Sequence, residues 1–320
     1  MNKYIGHPAQ ISGVEELILA KGKGKGMTLL QVRNGLGLEI TLSADRAMDI
    51  ARVTFKGNNL GYFSPCGYVA PSFYDNRGAG FLKSFTAGFM TTCGLTAVGS
   101  PCTDNGEELP LHGTIANTPC ENYSYEETES EITVKAQVRD AAIFAHQLIL
   151  EREYRISKTE NKVLLCDKIK NIGSAEAPLE VLYHCNIGYP LLSENTVLDI
   201  PASVTEPRND HAKKGLSDCL KMEKPQRGYE EMCYYHTLSQ GKVSAYCPDI
   251  KKRVTISFDT AELPCFVEWK MMGEQDYVLG LEPGNCLPDG RDVMRQKGML
   301  EFLKPDEEKR HHIAFCFTEE

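Results

Sequence analysis

Glu131-Ile132-Thr133-Val134-Lys135-Ala136-Gln137-Val138 alternates polar and apolar residues without a break. Side chains of an extended chain point to opposite faces in turn. Ile132, Val134, Ala136 and Val138 therefore share one face, and Glu131, Thr133, Lys135 and Gln137 share the other. This is the pattern of a strand with one face in a core. It recurs downstream. Leu148, Leu150, Tyr154 and Ile156 oppose Gln147, Glu151, Glu153 and Arg155. Val254, Ile256 and Phe258 oppose Arg253, Thr255 and Ser257, and Ile313, Phe315 and Phe317 alternate with His312, Ala314 and Cys316. Helical periodicity is scarce, with Gly13 to Ala20 the one place where a short helical turn is expected. Many strands joined by Gly- and Pro-rich connections predict an all-β sandwich or barrel rather than βαβ units.

Two stretches break the alternation. Residues 57–110 are rich in Gly, Pro, Phe and Tyr, and aperiodic segments of that length are usually functional or covering elements. Residues 204–232 are polar and charged, and read as a surface excursion, partly helical. Strand patterns continue on both sides of each, so neither is a linker. The whole chain, 1–320, is expected to form a single domain.

Composition narrows the function. The chain has 320 residues, 42% hydrophobic and 25% charged, with a net charge of -9. A negative balance argues against nucleic acid, whose binding needs clustered Lys and Arg. No apolar run of about 18 residues is present, so no membrane-spanning helix is expected. Met1-Asn2-Lys3-Tyr4-Ile5-Gly6-His7-Pro8 lacks the apolar segment of a signal peptide, which makes a cytoplasmic location the expectation. The 12 cysteines are scattered without a C-x-x-C pair, and reduced thiols acting as small hydrophobes are expected. Lys21-Gly22-Lys23-Gly24-Lys25-Gly26 is not followed by the Gly-Lys-Ser/Thr of a phosphate loop, and reads as a solvated turn.

The residues suited to chemistry are few. His112 lies in Leu111-His112-Gly113, His184 in Tyr183-His184-Cys185-Asn186, and Glu282 in Leu281-Glu282-Pro283. Imidazole titrates near neutrality, and a carboxylate makes a matching partner if its surroundings tune it. Alternation puts His184 on one face with Leu182 and Asn186, where both polar groups can enter one cavity; a core His bonded to backbone is the competing reading. Glu282 either points into a cleft from a strand end that Pro283 terminates or is a solvated edge charge. Glu268 and Lys270 share one face of Cys265-Phe266-Val267-Glu268-Trp269-Lys270, with Val267 and Trp269 on the other. They form a surface ion pair or a polar patch beside the only tryptophan. Arg46, in Asp45-Arg46-Ala47-Met48-Asp49-Ile50, offers a fork of donors to a hydroxylated ligand or pairs with a neighbouring Asp. Cys93 has no base beside it in sequence, so a buried thiol is expected rather than a nucleophile. The histidines lack metal-ligand spacing. No G-x-S-x-G, H-E-x-x-H or G-x-G-x-x-G motif is present.

Taken in order, Leu111-His112-Gly113-Thr114-Ile115-Ala116-Asn117-Thr118-Pro119, Tyr183-His184-Cys185-Asn186-Ile187-Gly188-Tyr189-Pro190 and Glu268-Trp269-Lys270 with Leu281-Glu282-Pro283 resemble the aldose 1-epimerase (galactose mutarotase-like) superfamily. More closely, they resemble its branch known as a domain of unknown function, of which Asp45 to Ile50 and Thr92-Cys93-Gly94-Leu95 also look typical. The resemblance runs from about Leu29 to Phe317. It implies a large antiparallel β-supersandwich and interconversion of the α and β anomers of a free sugar, with no cofactor and no metal. It assigns His184 as general acid on the ring oxygen, Glu282 as base on the anomeric hydroxyl, and His112 as a contact near the reacting oxygens. Arg46, Asn186, Glu268 and Lys270 are expected to bind the sugar in the same groove. This chain departs from the family in His184-Cys185-Asn186-Ile187-Gly188-Tyr189-Pro190, where classical mutarotases have His-Pro-Tyr-Phe-Asn, and in Thr114, where the branch often has Arg. A non-catalytic sugar-binding protein, an isomerase or epimerase acting at another carbon, and a glycosidase using Glu268 and Glu282 are the alternative readings.

Overall fold

The computed structural model describes residues 3–320; Met1 and Asn2, which open the N-terminal run read above, lie outside them. Three antiparallel sheets carry the architecture. The largest has eight strands, in the order Asn122–Glu127, Glu131–Ala141, Gln147–Ser157, Lys162–Asn171, Glu308–Glu319, Lys252–Phe258, Gly241–Cys247 and Val197–Asp199. The second runs Ala202–Pro207, Met232–Leu238, Cys265–Met272, Tyr277–Gly284, Ala177–Ile187 and Glu301–Leu303, and Met90–Leu95 also pairs with Ala177–Ile187. The third begins with the Gly13–Ile18 and Thr28–Arg33 hairpin and continues through Leu38–Ser43 and Asp49–Phe55.

One apolar core fills the space between the sheets. Val134, Leu150, Leu165, Ile256 and Phe315 enter it from the eight-stranded sheet. Val181, Tyr183, Cys185, Phe266, Leu279 and Leu281 enter from the second, and Leu30, Ile40, Val53 and Phe55 from the third. The alternating faces of 131–138, 147–156 and 253–258 and the Ile313, Phe315, Phe317 face are the buried ones. The helical turn expected between Gly13 and Ala20 is instead a strand, Gly13–Ile18. Its backbone groups are taken up by Thr28–Arg33, register Val14 to Val32, so sheet pairing overrides a weak local preference. Lys21 to Gly26 forms the connecting turn, closed by Gly26 N–H donating to Leu19 O at 2.8 Å.

A buried polar junction ties the three sheets together. The Arg152 guanidinium donates to Asp167 at 2.9 and 2.6 Å, to Asp49 at 2.7 Å, to Ala47 O at 2.8 Å and to Thr92 Oγ1 at 2.7 Å. Thr92 N–H and its hydroxyl donate in turn to Asp49, at 2.9 and 2.6 Å. Tyr183 O–H donates to Asp167 at 2.8 Å. A charge this deep is tolerable only with its partners in place. The Asp45 to Ile50 motif thus has a structural job. Asp49 meets Arg152, and Asp45 caps Thr28 N–H at 2.6 Å.

Within the 57–110 segment, Met90–Leu95 joins the second sheet as a strand, and the part around Phe81 and Phe85 covers that sheet's outer face. Phe81, Phe85, Ala87 and Ala116 form a small apolar cluster there, backed by Tyr62, Tyr74 and Leu111. The 204–232 excursion contains the short helix Asp210–Lys214, capped by Asn209, whose side chain accepts from Ala212 N–H. No helix among the described residues is long and apolar enough to cross a membrane.

Candidate functional site

Sheet register creates the central pair. Leu182 pairs with Gly284 and Cys185 with Leu281, which sets His184 directly opposite Glu282. Directly opposed residues bring their Cβ atoms within about 4.5–5.5 Å. Pro283 has no N–H to give, and the bonded ladder between these strands lapses at Tyr183 and His184. Pro283 does not end its strand, which runs Tyr277–Gly284 with Pro283 opposite Phe266. Gly280 makes room for the carboxylate, since a Cβ there would fall 2.1 Å from Glu282 Oε1.

His112 arrives by a sharp turn. His112 and Gly113 have φ of 58 and 69°, both left-handed. The turn is fixed by His112 N–H donating to Gly99 O at 2.9 Å and Gly94 N–H donating to His112 O at 3.1 Å. A Cβ on Gly113 would lie 2.3 Å from Gly94 O, so only glycine fits.

These residues line one cavity of about 330 Å³ on the outer face of the second sheet, a size suited to a small molecule. His184 Nε2 lies 3.2 Å from Glu282 Oε1, and both side chains are almost wholly buried. The contact is near enough for proton exchange but lacks hydrogen-bond alignment, and Glu282 Oε1, His184 Nδ1 and His112 Nδ1 have no hydrogen-bond partner. The His184 ring packs edge-on against Trp269 at 5.2 Å, Phe85 at 5.4 Å and His112 at 5.7 Å. Burial pushes Glu282 well above the usual carboxylate range; the Glu231 charge adds to this and Arg208 opposes it. Burial, with His112 nearby, lowers His184 to about 3. Burial and the Arg208 charge lower His112 to about 4. Both directions in the pair favour a neutral carboxylic acid facing a neutral imidazole. Among the described residues no group of three His, Cys, Asp or Glu converges as a metal site would require.

Four residues expected in the groove stand outside the cavity lining. Glu268 and Lys270 do share a face, but that face is turned inward. Glu268 accepts from His236 Nε2 at 3.0 Å, and Lys270 Nζ donates to Asp218 O and Lys221 O at 3.3 and 2.5 Å, holding down the excursion. Val267 and Trp269 are the cavity face. Arg46 is buried and donates to Val69 O and Ser84 O at 3.3 and 2.8 Å, fastening the covering segment. Burial lowers it to about 10. Asn186 is fully buried one step behind His184, with Nδ2 donating to His184 O at 2.9 Å. Cys93 is buried, and burial raises its thiol well above the ordinary value, so it holds its proton.

The cavity also contains residues the sequence did not single out. Arg208 and Glu231 come from the two ends of the 204–232 excursion. Arg208 Nη2 donates to Ser100 Oγ at 2.8 Å and Pro288 O at 3.0 Å, and its Nε lies 3.5 Å from Asp289. Glu231 Oε2 accepts the Trp269 indole N–H at 2.7 Å. The lone tryptophan was the one sequence signal pointing here. Two larger hollows, about 620 and 530 Å³, lie on the eight-stranded sheet. Most of the charges in the larger one are paired with each other, as in Lys135–Glu153 at 3.6 Å and Lys168–Glu151. Neither holds a buried acid–base pair, so the smaller cavity is the chemically equipped one.

The family described as a domain of unknown function, DUF4432, matches residues 24–316. A candidate aldose 1-epimerase from Klebsiella pneumoniae has a structure similar over 96% of this chain and 83% of its own, with a TM-score of 0.90 and 27% identity. A galactose mutarotase-like protein from Clostridium acetobutylicum is similar over 97% of this chain and 100% of its own, with a TM-score of 0.72 and 13% identity. For a galactose 1-epimerase from Lactobacillus acidophilus the shares are 96% and 99%, with a TM-score of 0.60 and 12% identity. The last two likenesses are of fold alone. No curated protein matches the chain. A supersandwich with this strand order, matched along nearly its whole length, makes the chain a member of the DUF4432 family on the galactose mutarotase-like fold.

Proposed function

We propose that this protein is a mutarotase, interconverting the anomers of a free sugar at the His184–Glu282 pair without a cofactor. The observation that carries the reading is a proton donor and a proton acceptor held 3.2 Å apart in a small, largely apolar cavity. Ring opening needs one proton delivered to the ring oxygen and one removed from the anomeric hydroxyl. The resting protonation favours Glu282 as the donor and His184 as the acceptor, the reverse of the roles the resemblance implies. Glu282 gives its proton to the ring oxygen as the C1–O5 bond breaks. His184 takes the O1 proton as the C1=O1 bond forms, leaving a carboxylate beside an imidazolium. The open aldehyde rotates about C1–C2, and the same two groups return both protons on reclosure. His112, neutral and 5.7 Å from His184, is suited to contact a sugar oxygen near the reacting atoms.

A binding protein on the same fold would have no use for an unsatisfied carboxylic acid facing an unsatisfied imidazole, since burying polar groups without partners is costly. A glycosidase using Glu268 is disfavoured by the inward turn of that residue. The test is anomer exchange by NMR across a panel of reducing sugars. Wild type should exceed buffer for at least one sugar, and Glu282→Gln and His184→Ala should each lose ~10²-fold or more, the usual range for a lost acid or base. A panel in which no sugar exchanges faster than buffer would leave only the binding role. Proton loss from C2 into deuterated water would instead indicate chemistry at another carbon.

A further inference from the structure

The charges of the cavity bear on which sugar it takes. Arg208 is the only Lys or Arg in the lining, and it is already engaged. Two of its bonds go to Ser100 Oγ and Pro288 O, and its charge faces Asp289 at 3.5 Å. His112 and His184 are held neutral by burial. Arg46 and Lys270, the other cations once expected near the ligand, are committed to backbone carbonyls elsewhere. An anionic sugar would therefore meet one positive charge, Arg208, that already faces the Asp289 carboxylate and is fixed by two hydrogen bonds.

Glu231 is the opposite case. It is exposed at the cavity, with one oxygen accepting the Trp269 indole N–H at 2.7 Å. Among the described residues its other oxygen makes no hydrogen bond, and no Lys, Arg or His lies within ion-pairing distance of it. Trp269 is half-buried beside it, with its ring in the cavity wall. A carboxylate with no cationic partner, held at the N–H edge of an indole that lines the cavity, attracts an organic cation by its charge.

We propose that the cavity selects an aldose bearing an amino group, in its ammonium form, with the ammonium at Glu231 and the ring against Trp269, and disfavours uronates and phosphorylated sugars. This rests on reading the cavity as a sugar site. The chain has a single tryptophan, and it stands in the cavity wall, so fluorescence excited selectively at tryptophan reports on this site alone. Glucosamine, glucose, glucuronate and glucose 6-phosphate would be titrated at low salt, with anomer exchange followed separately by NMR. The amino sugar should bind about tenfold more tightly than glucose, and the two anions at least about tenfold more weakly, with the spread shrinking as salt rises. Glu231→Gln keeps an acceptor for the indole and removes the charge; it should abolish the amino-sugar preference, and Glu231→Lys should reverse the order. Glucuronate or the phosphate binding as well as glucosamine, or an unchanged order in Glu231→Gln, overturns the proposal while leaving the mutarotase reading intact. If no sugar perturbs the fluorescence or exchanges faster than buffer, both fall together.

Discussion

Acidification should reveal whether His184 and Glu282 rest as a neutral pair or as an ion pair. Burial holds His184 at about 3, against 6.5 in the unfolded chain. A histidine lowered in this way contributes stability that is present above 6.5 and lost as pH falls from there toward 3. Between pH 7 and about 4.5 the unfolded chain takes up a proton at this position while the native state does not. At ~1.4 kcal/mol per pH unit, two units below 6.5 give a loss on the order of 3 kcal/mol. That is a large share of the ~5–15 kcal/mol by which folded proteins are stable. Glu282 acts oppositely. Its raised value means stability present below about 4.5 and lost as pH rises through the folded value. Comparing wild type with His184→Gln cancels the distant surface carboxylates to first order, and repeating the comparison in a Glu282→Gln background isolates the coupling to the neighbouring carboxyl. The assay is urea unfolding of both proteins at pH 7 and 4.5. Wild type should lose about 3 kcal/mol more than the variant. An ion pair would raise His184 above 6.5 in the native state, and acidification would then spare or strengthen the wild type. Equal losses, or a larger loss in His184→Gln, would refute the neutral pair and restore the conventional acid and base roles.

Other outcomes follow from the same geometry. The pH–rate profile of anomer exchange should have its acid limb from His184 and its alkaline limb from Glu282; Glu282→Gln should erase the alkaline limb and, by removing a buried ionisable carboxyl, raise the melting temperature at neutral pH. Gly280→Ala should cut exchange by about tenfold or more with the fold retained, because its methyl would meet Glu282 Oε1 at 2.1 Å; unchanged exchange would show that the carboxylate has room elsewhere. Arg152→Met should cost about 3–5 kcal/mol in denaturant unfolding, since it strands Asp49 and Asp167 in the core. Lys270→Met should weaken the anchoring of the excursion and lower stability while leaving KM within about twofold, which steady-state kinetics would check.

Half-buried strands are legible in a sequence because every second residue is usually apolar; 131–138 obeys this throughout, and 147–156 does except at Ile149 and at Arg152, the buried centre of the polar junction. The same rule carries a limit that the 265–270 segment exposes. Alternation groups Glu268 with Lys270 and Val267 with Trp269, but it does not say which group faces a cavity. Polar residues are the natural guess, yet here they point inward to His236 and to the carbonyls of the excursion. At 181–187 the same logic assigns the core face, because Val181, Tyr183, Cys185 and Ile187 are apolar enough to claim it, but of His184 and Asn186 on the other face only His184 reaches the cavity. Arg208 and Glu231 were out of reach, because aperiodic polar chain gives no indication of where its ends return. Gly13 to Ile18 was misread for a related reason, since only its partner strand decides its state.

The His184–Glu282 pair shows why motif and register both matter. Each residue sits in a recognisable local sequence, but their opposition arises from a ladder that pairs Leu182 with Gly284 and Cys185 with Leu281. A slip of one residue would turn His184 into the core and Tyr183 into the cavity. Tyr183 guards against that slip. Its hydroxyl donates to Asp167, and through Asp167 it joins Arg152, Asp49 and Thr92 in the junction between the sheets. Alternate residues of one strand thus have opposed tasks. The odd positions lock the strand to the core, and the even position 184 turns its imidazole toward Glu282 of the neighbouring strand, a contact the fold holds without an aligned hydrogen bond. The polar satisfaction denied to Glu282 and His184 is met in full directly behind them, which is how a destabilising site can persist on a rigid sheet.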